Sequence, residues 1–110
     1  MRYLLLVATD TEPDTDPAPS LDAAEWVRQI GDKWVFGDRL RPPEDGTTVR
    51  VRSAEVDVQK GPFTNSREQI VGFDVLDCAD MAEAIEIVAK HPNARTGRIE
   101  LRPFWPLDQG

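Results

Sequence analysis

Few side chains in this chain can do chemistry, and their spacing limits what that chemistry is. His91 is the only histidine and Cys78 the only cysteine. A pair of histidine ligands for a metal is therefore impossible, and no metal site or cofactor is expected. Histidine is the commonest general base in enzymes, which makes His91 a candidate catalyst. Its neighbour Pro92 points instead to a helix end, where a cationic imidazole would sit well against the carbonyl end of the dipole. Asp74 and Asp77 can act as bases if burial raises their pKa, whereas a nearby arginine lowers it. Arg98 and Arg102 are expected on neighbouring strands, so charge pairing is the predicted fate of these acids. Asp74 and His91 remain the catalytic candidates.

A binding role falls to a different set. Arg50, Arg52 and Arg102 each present a planar fork that can clamp a carboxylate or phosphate. Exposed arginines on strands are also the ordinary solvated surface. Phe63 in the Gly61-Pro62-Phe63 loop is read as a hydrophobic anchor or a ligand wall. The loop is no phosphate cradle, because it lacks the repeated glycines and the Lys-Ser/Thr pair of a P-loop. Arg50, Arg52, Phe63, Asp74 and Arg102 together form the expected ligand-binding set. Cys78 ends an apolar run with no partner of the CxxC kind and is read as a buried, inert thiol.

The elements that must position these groups follow from periodicity. Tyr3 to Val7 is continuously apolar and reads as a central strand buried on both faces. Residues 11–20 carry three prolines and three acids and read as a loop. Ser20 is the expected N-cap of a first helix, with Leu21, Ala24, Val27 and Ile30 at helical spacing and Gly31 as its stop. A second strand opens at Trp34. Val49/Val51 and Val56/Val58 alternate with charged residues around Ser53-Ala54, a hairpin whose turn residues do not favour positive φ. Residues 70–78 form another strand, with Val71, Phe73 and Val75 on one face and Asp74, Leu76 and Cys78 on the other.

The best-marked helix follows Asp80, with Glu83 completing a variant capping box and Met81, Ala84, Ile85, Val88 and Ala89 forming the apolar stripe. Pro92 cannot continue it. A last strand covers about 98–104, with Ile99 and Leu101 inward and Arg98, Glu100 and Arg102 outward.

This order, β-α-β, a hairpin, then β-α-β, predicts an α+β, ferredoxin-like sandwich with an inserted hairpin and both helices on one sheet face. The helix-free face is expected to carry arginines and acids, Asp74 among them, as a solvated surface or a polar cleft. Trp34, Phe36, Phe104 and Trp105 near strand edges favour association, since aromatics are enriched at interface cores.

One domain is expected over residues 1–110, with 106–110 as a tail. The net charge of −7 argues against nucleic acid, whose binding relies on basic patches. The apolar run Tyr3–Ala8 is too short for a signal peptide or a membrane span, so a cytoplasmic protein without a membrane partner is expected.

Six segments in order resemble one family, the YCII-related proteins of the DGPF subgroup. They are MRYLLLV at the start, GDKWVFGDRLRPP from Gly31, Thr48 to Arg52 against the family's TVR strand, the Gly61-Pro62-Phe63 to Gly72-Phe73 block, the helix from Asp80 to Pro92, and GRIELRP from Gly97. The resemblance implies a homodimeric α/β barrel, two sheets facing each other, with a polar cleft for a small organic ligand. It also implies that some wider relatives resemble small lyases acting on aromatic degradation products, and that some subgroup relatives are linked to transcription initiation through sigma-factor partners. A small lyase or isomerase, and an interaction module docking through the hairpin or the acidic loop at Glu12–Asp16, are therefore the alternative functions. Two departures stand out. Lys60 replaces the aspartate of the subgroup's signature, and a Pro/Asp-rich loop occupies part of the first helix. The wider group also carries a His–Asp pair whose histidine lies in the first half of the chain, where this sequence has none.

Overall fold

The computed structural model describes residues 1–16 and 21–107. Six strands and three short α-helices follow one another along it: β1 (Arg2–Thr9), α1 (Ala23–Ile30), β2 (Trp34–Arg39), β3 (Thr47–Arg52), β4 (Glu55–Lys60), β5 (Ile70–Asp77), α2 (Met81–Val88), α3 (Asn93–Thr96) and β6 (Gly97–Pro103). Four strands make one antiparallel sheet in the order β2-β5-β1-β6, while β3 and β4 pair only with each other. This is a mixed α+β fold with an antiparallel sheet and few helices, compatible with a ferredoxin-like arrangement.

The core lies between one face of the sheet and the helices. Tyr3, Leu5, Leu76 and Cys78 from the strands meet Trp26 of α1 and Ala84 and Val88 of α2. Alternation along β1 buries Tyr3, Leu5 and Val7 and leaves Leu4, Leu6 and Ala8 half-buried. That corrects the expectation of a strand buried on both faces: helices cover one side only.

Both eight-residue helices start at a side-chain cap, as their unpaired N–H groups require. Asp22 accepts from the Glu25 N–H at 2.7 Å. It caps α1; the expected cap, Ser20, lies outside the described residues, as do residues 108–110 of the expected tail. Gly31 ends α1 with φ +61. Asp80 accepts from the Glu83 N–H at 2.9 Å, and Glu83 reaches back to the Ala79 N–H at 3.0 Å. The α2 stripe differs from expectation at two positions, since Ala89 lies past the helix end and is exposed. Ile85 is exposed, and Ile87 packs against the core with Met81, Ala84 and Val88.

The larger correction concerns the sheet's helix-free face. In β5, Gly72, Leu76 and the adjoining Cys78 are buried on the helix side. Alternation then places Asp74 on that side too. Register agrees, since Asp74 lies opposite buried Leu5. The helix-free face instead carries Leu4, Leu6, Phe73 and Val75, bordered by Arg98, Glu100 and Arg102 of β6. Its centre is apolar and Asp74 is not on it, while the expected arginines and Glu100 line its β6 border.

The β3–β4 hairpin stands apart. Val49 faces Val58 and Val51 faces Val56, and all four are 55–67% exposed. The Cα radius of gyration is 16.2 Å, against about 13 Å for a compact chain of this length. The turn residues Ser53 and Ala54 take φ +51 and +65. This left-handed region costs a residue with a Cβ about 1–2 kcal/mol, and Asn-Gly is the pair suited to it. Replacing Ser53-Ala54 by Asn-Gly should stabilise the hairpin by about 1 kcal/mol, a roughly fivefold change in its opening equilibrium. Amide hydrogen exchange at Val49 and Val58 should slow by that factor; unchanged exchange would count against the turn geometry.

Candidate functional site

A cavity of about 620 Å³ opens between α1 and the sheet's helix side. Its wall includes Trp26, Trp34, Arg39, Leu40, Asp74 and His91. Two titratable groups are nearly buried here: the side chains of His91 and Asp74 are 6% and 13% exposed, with Nε2 and Oδ2 3.9 Å apart.

Each is held by its own local structure. Asp74 rides on β5 next to β2, where Gly37 is its register partner. A Cβ at Gly37 would stand 2.2 Å from Asp74 Oδ1, so the carboxylate occupies space that only glycine leaves open. The β2–β5 register shifts between Trp34 and Phe36, with Trp34 opposite Leu76 and Gly37 opposite Asp74. A bulge adds one residue to a strand and re-aims the side chains beside it. Here it puts Trp34 on the same side as Gly37, although three positions separate them. The Trp34 indole N–H then donates to Asp74 Oδ1 at 2.9 Å.

His91 sits in the turn that ends α2, its N–H donating to the Val88 carbonyl. The Asn93 backbone N–H donates to its Nδ1 at 2.9 Å. A neutral imidazole has one proton, and a ring nitrogen that accepts cannot carry it. The proton therefore lies on Nε2, the atom nearest Asp74. Trp26 meets the ring edge-on, with centroids 4.6 Å apart. Burial holds the His91 pKa below its ordinary value. Burial also raises that of Asp74, partly opposed by the Trp34 hydrogen bond. His91 is thus no cationic cap on an exposed helix end, as expected from Pro92, but a buried and preferentially neutral ring.

As the only histidine, His91 gives one set of imidazole resonances. Its titration midpoint should fall below about 6.5, the ordinary histidine value. The unfolded chain binds that proton more readily, so stability should decline as pH falls below about 6.5. Asp74 has the opposite sign: its contribution is complete below the ordinary aspartate range and is lost as pH rises through its elevated folded value. An imidazole midpoint above 6.5 would contradict the buried placement.

The other expected site residues do not gather here. Arg50 and Arg52 lie on the exposed hairpin, opposite Asp57 and Glu55. Arg102 pairs with Glu100, and Arg98 with Asp10 at 2.6 Å, so neither pairs with Asp74. Phe63 is 81% exposed, so it is not the buried anchor expected. Asp77 lies at the exposed end of β5, 3.2 Å from the amino terminus. Asp14 of the acidic loop binds Arg95 at 2.8 Å. Cys78 is buried and free, with its thiol pKa raised by burial. Among the described residues no group of three or more His, Cys, Asp and Glu is placed to hold a metal, and no helix is long and apolar enough to cross a membrane. Sequence reasoning missed Trp26, Trp34, Gly37 and Arg39 as site residues. The signal for Gly37 was a glycine inside a strand, which marks a close approach.

Comparison with known proteins places the sequence in a family. The profile of the YCII-related domain matches residues 1–108. Over 68 residues the chain is 39% identical to an uncharacterized protein of Rhizobium meliloti (strain 1021), a stretch that is 60% of this chain. The chain spans 55% of that relative's length.

Proposed function

The chain belongs to the YCII-related domain family, and we propose that it is a homodimer that binds a small organic ligand in the cleft between α1 and the sheet and moves a proton on it. One observation carries the reading: His91 and Asp74, both nearly buried, face each other at 3.9 Å on the wall of that cavity. The gap is too long for a direct hydrogen bond. One ligand oxygen at about 2.8 Å from each group could still touch both.

The division of labour follows from the tautomer. Asp74 is the acceptor, able to take a proton from a carbon or hydroxyl of the ligand. His91 Nε2–H is the donor, aimed where an oxygen gains negative charge. Removing a proton beside a carbonyl, with a hydrogen bond to the developing enolate, is the step such a pair can perform. That step is common to small isomerases and lyases. It is a different site from the polar sheet face anticipated from the sequence.

The dimer is supported by two surfaces. The helix-free sheet face presents Leu4, Leu6, Phe73 and Val75, and Phe36 stands 54% exposed at its edge. The hairpin adds its four valines. Apolar area of this kind is stabilised by burial at about 25 cal/mol per Å². Two such sheets packed face to face would close two ferredoxin-like units into an α/β barrel. The lone buried thiol suits a reducing cytoplasm.

Light scattering at micromolar concentration tests the assembly, and a monomer would overturn it, leaving the hairpin as a surface for a different protein. A small-molecule screen read by the His91 resonances tests the site. Binders should shift them in the native protein and lose affinity in Asp74→Asn; a screen without any His91 response would reject the cleft as the ligand site.

A further inference from the structure

We infer that the cleft takes a small organic anion and that Arg39 holds its charged group; this rests on the reading of the cleft as a ligand site. Arg39 lies on the cavity wall, opposite Gly72 in the β2–β5 register. It is two residues beyond Gly37 and so shares the side that carries Asp74. Strand rise puts those positions about 7 Å apart. A ligand with its anionic head at Arg39 and its reacting atom at Asp74 and His91 therefore spans roughly the length of one substituted ring.

The guanidinium is uncommitted. Arg28, Arg41, Arg95, Arg98 and Arg102 each pair with a carboxylate. Arg39 makes no side-chain hydrogen bond or ion pair among the described residues, and no other arginine lines this cavity. Two acids share this wall, and neither makes an ion pair with Arg39 among the described residues. Asp74 is held by Trp34, and Asp38 is set opposite Phe73, in register with the sheet's other side. A protein of net charge −7 repels anions at long range, so an anionic ligand needs a local cation to be retained. A guanidinium offers the bidentate fork that carboxylate and phosphate groups fit. Trp26, Val27, Leu40 and Pro42 supply apolar walls for the body of the ligand. Gly72 leaves the floor opposite Arg39 without a side chain.

The test uses benzoate, phenyl phosphate and the uncharged control benzamide, titrated into the full chain and followed at the His91 imidazole. Benzoate should shift those resonances and bind at least tenfold tighter than benzamide. Arg39→Gln should weaken benzoate at least tenfold and leave benzamide unchanged, while Arg39→Lys should retain part of the affinity. Tighter binding of phenyl phosphate with the same Arg39 dependence would support the anion site and identify a phosphate ester as the head group. Benzamide binding as tightly as benzoate, or benzoate binding that survives Arg39→Gln, would overturn the inference while leaving the cleft a ligand site. If none of the three probes moves His91, both readings fall. Arg39 is exposed on an edge strand, so these variants should fold, which circular dichroism checks.

Discussion

Trp26→Ala should destabilise the protein by about 3–5 kcal/mol. Trp26 is 1% exposed and is among the largest fully buried side chains of the core. Removing it takes away the packing between α1 and the sheet and leaves a cavity that short helices can only partly close. It also removes an indole N–H that donates to the Ile87 carbonyl at 2.9 Å, the polar tie between α1 and α2. A domain of this size has a total stability of about 5–15 kcal/mol, so the variant should lose a large share of it. Trp26→Phe, which keeps a ring and loses the donor, should lose markedly less. Urea unfolding followed by circular dichroism measures both. A loss under about 1 kcal/mol for the alanine variant would show that α1 does not rest on this residue.

Gly37→Ala should have the next largest effect, and a more local one. The new methyl would lie 2.2 Å from Asp74 Oδ1 and 2.6 Å from the Phe73 carbonyl oxygen. The carboxylate can swing away only by giving up the Trp34 N–H, and a hydrogen bond to a charged group is worth about 1.5–3 kcal/mol. The backbone contact with Phe73 cannot be relieved by a rotamer change. We expect a loss of about 2–3 kcal/mol, in the range of overpacked cores. The His91 resonances should move and ligand-induced shifts should vanish. In a double-mutant cycle, Gly37→Ala should cost less on an Asp74→Ala background, because one of its two clashes is gone. Strict additivity would mean that the carboxylate is not where the fold puts it.

Much of the scaffold was readable from sequence for simple physical reasons. Asp80 and Glu83 announce α2 because a helix start needs acceptors at that spacing. The alternation of valine and charge over residues 47–60 announces a hairpin because strand side chains change sides at every step. The side on which Asp74 lies was not readable. Apolar residues occur on both sides of residues 70–78, Val71, Phe73 and Val75 against Leu76 and Cys78, so alternation alone cannot choose between them. Gly72 hid the answer by contributing no side chain. Trp26 carries no separate signal in the sequence, because Leu21, Ala24, Val27 and Ile30 already complete a regular helical stripe. The meeting of His91 with Asp74 depends on how the turn after α2 folds back on the sheet, a tertiary choice with no local signature. Trp34 reached the site only because a bulge turned it, and bulges leave little trace in one sequence.

The hairpin of β3 and β4 has a thermodynamic consequence. A two-stranded ribbon is marginal in water by itself, and this one holds four valines where its own chain cannot dry them. If a second copy supplies the missing cover, the melting temperature obeys mass action and should fall with each dilution.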